Sequence, residues 1–313
     1  MPGTYPASPP TLSGDFETIS RFLASPTQLR RRLRNFMDLR FVSDQILTGR
    51  FRTSGGAILY EQSEPFVTDR AVEAVGAGAE YPYANTPTGT AAIAAVSKWG
   101  QKVPVTDEEI ARNVYAGATI DRNLRKTVNS IIQQVDSVTM SAIQSAVGAN
   151  VFSVTGSGGG AWTAATPTML RDILRAKAIV FGKNLGYKPD TIVVNDTAYA
   201  YMMSDTAITN ALRREDSNNP VYTGQIEVIA GLVIVVAGSN YFTGGPIILD
   251  STQLGGMADE QDSAPGYAVS DQAVEVKSIR VDDKDKWDLQ GRRKTVPVVQ
   301  EPGGMCQLTN TGT

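Results

Sequence analysis

The longest coherent pattern of apolar and polar positions runs from Thr106 to Ala149. Leu124, Val128, Ile131, Val135, Val138 and Ala142 recur at steps of four and three, which places them on one face of a helix. Arg122, Arg125, Gln133, Gln134 and Asp136 fall mostly off that face. The run opens on a capping box, in which the Thr106 hydroxyl accepts from the amide of Glu109 and the Glu109 side chain reaches back. Asp107 and Glu108 put negative charge at the positive end of the helix dipole. No proline interrupts the run, and Gly148 and Asn150 give a stop signal. At ~1.5 Å per residue one continuous helix here is ~65 Å long, several times the usual length. Such a spine needs neighbours along its whole length. Gly117, beside Ala116 and Ala118, is the expected place for a bend.

The pattern before the spine is different. Residues 1–13 hold four prolines among glycine, serine and threonine, an extended arm. Phe16, Ile19 and Leu23 mark a short helix, and Ser25-Pro26-Thr27-Gln28 caps a second one with Leu29, Leu33, Phe36 and Met37 on one face. Arg30, Arg31, Arg32 and Arg34 crowd its other sides, either as a solvated face or as a contact for nucleic acid or an acidic partner. Ala57 to Tyr60 and Glu64 to Thr68 read as strand, followed by a glycine-, alanine- and proline-rich stretch to about Val96. Together they predict a long two-stranded excursion, which cannot bury a core by itself and needs a neighbour to lie on. Ile93 to Val105 returns as a strand, with Trp99 as its anchor.

Beyond the spine, Thr155 to Gly160 reads as a linker, because the lysine and serine or threonine of a phosphate loop are missing. Thr166-Pro167 caps a helix through Met169, Leu170, Ile173, Leu174 and Val180. Thr191 to Asn195 is a short buried strand, Asp196 caps a further helix, and Asp205 starts another. Gln225 to Ala237 predicts a hairpin turning at Ala230-Gly231. Pro246 to Asp250 is a strand, Leu254 to Pro265 an acidic loop, and Gln272 to Val281 pairs with Arg292 to Val299 across a charged turn. The last residues, from Gly303, read as loose.

Composition narrows the function. The 313-residue chain is 42% apolar and 19% charged, with a formal net charge of −3. A balance this neutral argues against a dedicated nucleic-acid binder. No apolar run reaches the ~18 residues of a membrane span, and the first 14 residues lack a signal peptide's apolar core. Cys306 alone forms no intrachain disulfide and no cysteine zinc site. The chain has no histidine, the usual general base and commonest metal ligand. Enzymatic chemistry becomes a poor expectation, and no catalytic, cofactor or metal residue is assigned.

Four stretches, LTGRFRTSGGAILYEQSEPF, GAEYP, KWGQKVPVTDEEI and VNSIIQQVDSV, stand in an order that resembles the major capsid proteins of tailed bacteriophages with the Hong Kong 97 fold. Their wording is similar to capsid proteins of phages infecting actinobacteria. The resemblance implies an α+β capsid fold. It has an N-terminal arm (1–54), a β-hairpin E-loop (55–92), a peripheral domain with the spine helix (93–165 and 266–300), an α/β axial domain (166–265) and a C-terminal tail (301–313). It further implies self-assembly into pentamers and hexamers, and an icosahedral shell around double-stranded DNA in a virion built in the host cytoplasm. Each E-loop would lie over a neighbour. Tyr60, Phe66, Tyr81 and Tyr83 are then the expected inter-subunit contacts, and Arg30, Arg31, Arg32 and Arg34 face either DNA or another subunit. Implied partners are a portal protein, a separate scaffolding protein and a cement or minor capsid protein, with no membrane.

The founding member carries a removable N-terminal scaffolding region; here the arm starts almost at Met1, so a separate scaffolding protein is expected, or none. The founding member of the family crosslinks its shell through an E-loop lysine. Here no lysine precedes Lys98, so the shell is expected to hold without that bond. An encapsulin-type compartment enclosing a cargo enzyme is the competing reading of the same fold. An α/β enzyme built on the glycines at 156–160 is a third.

Overall fold

The computed structural model describes residues 41–112, 116–158, 160–211, 226–260, 266–269 and 273–313. In chain order the elements begin with α1 (Val42–Ile46), β1 (Gly49–Thr53), β2 (Ala57–Gln62), β3 (Thr90–Ala95), β4 (Ser97–Thr106), α2 (Asp107–Arg112), α3 (Ala116–Val147) and β5 (Val151–Ser153). There follow α4 (Met169–Phe181), β6 (Thr191–Asn195), α5 (Asp196–Ser204), α6 (Thr206–Ala211), β7 (Val228–Ile229), β8 (Leu232–Ala237) and β9 (Ile247–Leu249). The last are β10 (Gly255–Glu260), β11 (Ala268–Val269), β12 (Glu275–Val281), β13 (Lys286–Val299) and β14 (Met305–Thr309). They fall into two compact units. One takes its described residues from 100–131 and 263–293, the other from 39–99, 132–262 and 294–313.

In the smaller unit, β12 pairs antiparallel with the first half of β13, from Glu275 opposite Arg292 to Val281 opposite Lys286. The turn between them passes through Asp285 at φ 43°. The α3 stripe enters here as Ile120, Leu124, Val128 and Ile131, all buried. Gly291 leaves room for it, since a Cβ there would stand 3.1 Å from both Ile131 and Thr127. One half of the predicted capping box is present, with Thr106 Oγ1 accepting from the Glu109 amide at 3.2 Å. Asp107 is gripped by both terminal nitrogens of Arg280 at 2.6 and 2.7 Å, which holds its carboxyl below the usual range. The helical run is described as α2 and α3. Residues 113–115 between them lie outside the described residues, and Gly117 is the second residue of α3.

The larger unit is built on a sheet of order β5-β14-β9-β6-β8-β7. Its core joins Trp162, Ile173, Val180, Ile192, Val194, Met202, Ile248, Cys306 and Leu308. The β7–β8 hairpin turns where the sequence says, with Ala230 at φ 51° and Gly231 at φ 74°, the left-handed pair of a type I′ turn. Asp205 starts α6 as predicted, its carboxylate accepting from the Ala207 amide at 3.0 Å, whereas two other caps sit one or two residues from their predicted places. Asn195, not Asp196, caps α5 by accepting from the Ala198 amide at 2.6 Å. Thr168, not Thr166, is the N-cap position of α4.

Three expectations are corrected. The C-terminal residues are not loose, because β14 lies between β5 and β9 and buries Met305, Cys306 and Leu308. Leu254 to Glu260 is no acidic loop. It forms buried β10, parallel to β1 and antiparallel to the end of β13. Its glycines are there for contact: a Cβ on Gly256 would meet the Gly49 carbonyl carbon and oxygen at 2.4 Å. Asp136 is not on the polar face of α3 but is 1% exposed.

Asp136 has a specific task. The N-cap residue of α1, Phe41, has no side chain able to cap it. Asp136, more than ninety residues away, accepts from the amides of Val42 at 3.1 Å and Ser43 at 3.0 Å. These are N–H groups that a helix start leaves without partners. Desolvation pushes the Asp136 carboxyl above its usual 3.8, although the amide donors oppose the shift, and Asp44 adds to it.

Two outcomes follow. Gly256→Ala forces backbone against backbone and is expected to cost about 1–3 kcal/mol or more, read as a lower denaturant midpoint. Gly55→Ala, where a Cβ meets nothing within 4 Å, leaves the midpoint unchanged. For Asp136, the folded chain binds the proton more tightly than the unfolded chain. Its contribution to stability is therefore full below the unfolded value of 3.8 and is lost as pH rises through the higher folded value. Asp136→Asn is expected to remove that slope from stability measured against pH. Asp136→Ala, which strands two buried amides, is expected to lose about 1–3 kcal/mol for each.

Candidate functional site

The most unusual surface is the hairpin of β2 and β3. The two strands pair from Ala57 opposite Ala95 to Gln62 opposite Thr90, and among the described residues no third strand joins them. Alternation along both strands sends Ala57, Leu59 and Glu61 to the same face as Ala91, Ile93 and Ala95. Leu59 and Ile93 are direct cross-strand partners and are 70% and 72% exposed. Glu61 is the only charge on that face.

The connection from Ser63 to Gly89 extends the exposed surface. It is held locally: Asp69 accepts from the Asn85 amide and side chain at 2.8 Å each, Arg70 pairs with Glu73, and the Ala79 amide bonds to Gly76 O across a turn at Gly78. Val67 and Val72 project from this segment with almost no cover. The predicted strand at Glu64 to Thr68 is absent, because Pro65 removes a donor and no partner strand runs alongside.

The predicted contact residues fall into three groups. Tyr81 and Tyr83 are 80% and 89% exposed beside Arg70 and Glu73. Phe66 is 56% exposed, with its ring edge-on to Tyr187 at 6.2 Å. Tyr60 is half-buried on the hairpin's opposite face. Trp99, the expected anchor, is also half-buried. Arg30, Arg31, Arg32 and Arg34 lie outside the described residues. Leu59 and Ile93 were not singled out from sequence. The alternation of Ala57-Ile58-Leu59-Tyr60 carries the signal for Leu59, but Ile93 sits among alanines that hide the period.

A second apolar surface lies on the larger unit. Val228 and Val233 are cross-strand partners on β7 and β8 and are about half exposed. Leu174 and Phe181 stand on the outer side of α4. Lys177 ties α4 to the hairpin turn through Ala230 O at 2.9 Å.

Buried reactive groups are occupied structurally. Burial raises the Cys306 thiol to about 11, against an opposing effect of Lys183, so it is not a ready nucleophile near neutral pH. Asp172 is fully buried, with its carboxyl raised by desolvation and bonded by Thr168 at 3.0 Å. Among the described residues no cluster of acidic or cysteine side chains has the arrangement of a metal site, and no helix is long and apolar enough to cross a membrane.

Solved capsids share this architecture. The capsid protein of cyanophage P-SCSP1u superposes with a TM-score of 0.60 at 13% identity, covering 83% of this chain and 85% of that one. A protein of Mycobacterium phage Cain gives 0.55 at 12% identity, with 94% and 98% covered. The virus-like particle of Pyrococcus furiosus gives 0.54 at 13%, with 90% and 98% covered. At such identities the likeness is one of fold. Among curated proteins none matches the chain. The family model described as phage capsid protein matches residues 89–308, from β3 through β14, and on that match the chain belongs to the phage capsid protein family.

Proposed function

We propose that this chain is the major tile of a tailed-phage capsid, closing as pentamers and hexamers into an icosahedral shell around double-stranded DNA. The observation that carries the reading is the Leu59–Ile93 face, an apolar surface on a ribbon that no layer of the described residues covers. A two-stranded hairpin is marginal in water, and burying each large aliphatic side chain is worth about 1.5–3 kcal/mol. A neighbouring copy supplies the missing layer. Tyr81, Tyr83, Phe66, Val67 and Val72 extend the contact, and Tyr60 lies on the reverse face.

In this reading residues 1–54 are the N-arm, 55–92 the E-loop, 93–165 and 266–300 the peripheral domain, 166–265 the axial domain and 301–313 the tail. The exposed valines of β7 and β8 and the outer face of α4 then meet their counterparts around the local symmetry axes. Weak single contacts suffice, because each tile holds several neighbours at once. The arginines at 30–34 face DNA or a neighbour, and a bend near Gly117 adapts the spine to pentamers and hexamers. Portal, scaffolding and cement or minor capsid proteins complete the particle, which is built in the host cytoplasm and ends in the virion. Likeness to the Pyrococcus furiosus particle supports a second reading, an encapsulin-type compartment around protein cargo.

Electron microscopy of the purified protein is expected to show closed shells, and nuclease-protected DNA in native particles decides for the phage reading over protein cargo. Leu59→Asp with Ile93→Asp is expected to abolish shells while circular dichroism stays unchanged. Intact shells from that variant would overturn the role given to the hairpin. With no lysine before Lys98, particles boiled in detergent are expected to run as a single monomer band and not as a ladder of linked subunits.

A further inference from the structure

The loop-side end of the hairpin, the root of the 63–89 connection, is held by contacts that its assembly role does not require. As β2 ends, the chain turns sharply at Ser63, whose φ of 57° is rare for a side-chain-bearing residue. Three successive residues then bond to the segment after β13. Gln62 Nε2 donates to Val299 O at 3.2 Å. The Ser63 amide donates to Gln300 O at 2.9 Å, and the Glu64 amide to Glu301 Oε1 at 3.2 Å.

The second carboxylate oxygen of Glu301 accepts from Tyr187 Oη at 2.8 Å, and Phe66 rests edge-on against the same tyrosine ring. One carboxylate thus bridges the root of the connection to a tyrosine that is 3% exposed. The returning side is tied in as well, since a Cβ on Gly89 would stand 2.8 Å from Gln62 O and 3.2 Å from the Glu64 amide.

The socket is fixed independently of the hairpin. Lys183 Nζ donates to Gly303 O at 2.8 Å and Asn150 Oδ1 at 2.7 Å. Asn150 Nδ2 donates to Pro302 O at 3.0 Å. Gly303 comes close to the Tyr187 ring, where a Cβ on it would meet Tyr187 Oη at 2.8 Å. Burial, with the neighbouring Glu301 carboxylate, holds the Tyr187 phenol well above its ordinary range, so it remains a donor.

We propose that Glu301 and Tyr187 form a clasp that pins residues 62–66 to the body of the chain, so that free movement of the loop begins only beyond Phe66. The clasp sets the direction in which the 63–89 connection leaves the β2–β3 ribbon before any neighbour is met. Its importance for shells rests on the hairpin being the assembly arm. The clasp itself is a property of the single chain.

Hydrogen exchange read by mass spectrometry on the full chain, held below its assembly concentration, tests it. In Glu301→Ala, amides of a peptide spanning 62–66 are expected to exchange at least ~10-fold faster than in the parent. Tyr187→Phe is expected to act in the same direction, and Glu301→Gln, which keeps an acceptor for the Glu64 amide, to restore most of the protection. The β6 amides report whether each variant is folded. Unchanged exchange at 62–66 in Glu301→Ala and Tyr187→Phe, with β6 protected, overturns the clasp. Should Glu301→Ala lose β6 protection, Tyr187→Phe and Glu301→Gln decide by the same readout. Shell formation by the parent is scored separately. Failure there removes the assembly reading and leaves the clasp, whereas shells with unchanged exchange do the reverse.

Discussion

A ribbon of two strands has two faces and no interior, and that geometry governs how this protein is used. Leu59 and Ile93 face each other across the ribbon and stay in water. A third strand or a covering helix from the same chain would remove the problem, as β14 does for its own neighbours by inserting between β5 and β9. Among the described residues the hairpin receives neither. In the reading proposed above, that apolar face would be covered by another copy of the chain.

A protruding ribbon is useful only if its base is defined. The larger unit meets that need with contacts between segments far apart in sequence. Gly49 and Gly256 give up their side chains so that β1 and β10 can run close and parallel. Asp136 supplies the cap that Phe41 cannot, fixing α1 just upstream of β1. The segment from β1 into the hairpin is thus anchored at its start, and β2 ends against residues 299–301. Burying a carboxylate costs stability, but here it satisfies two backbone donors that would otherwise be stranded.

The parts legible in the sequence are those decided locally. Helical periodicity marks α4 and most of the α3 stripe, and Ala230-Gly231 marks its hairpin because only certain residues tolerate two successive positive φ angles. The order of motifs carries the family. The parts that escaped are decided by distant partners. The glycines and acids of β10 look like a loop until β1 and β13 are placed beside them. The strand at Met305–Thr309 has no length or alternation to announce it, and its burial comes from strands over fifty residues away. Asp136 reads as a surface charge, since nothing near it in sequence foretells the amides of Val42 and Ser43. In the candidate site the tyrosines at 81 and 83 were legible as exposed aromatics, whereas Ile93 was masked by alanine on either side.

The same contrast explains why the chain can be so poor in chemistry and still be specific. A shell protein needs no base, nucleophile or metal. It needs surfaces that are unfavourable alone and favourable when repeated. Each such surface must be weak enough that misplaced copies can leave, and numerous enough that a completed shell does not come apart. In the proposed shell, a pair of aliphatic residues on a ribbon, a pair of valines at a sheet edge and a few exposed rings would meet both conditions better than one large hydrophobic patch. A single extensive patch would associate in many registers and trap errors. Small separate patches, each presented from a body that fixes its direction, demand that several geometries agree at once, and in the proposed assembly that agreement would select a closed shell over an aggregate.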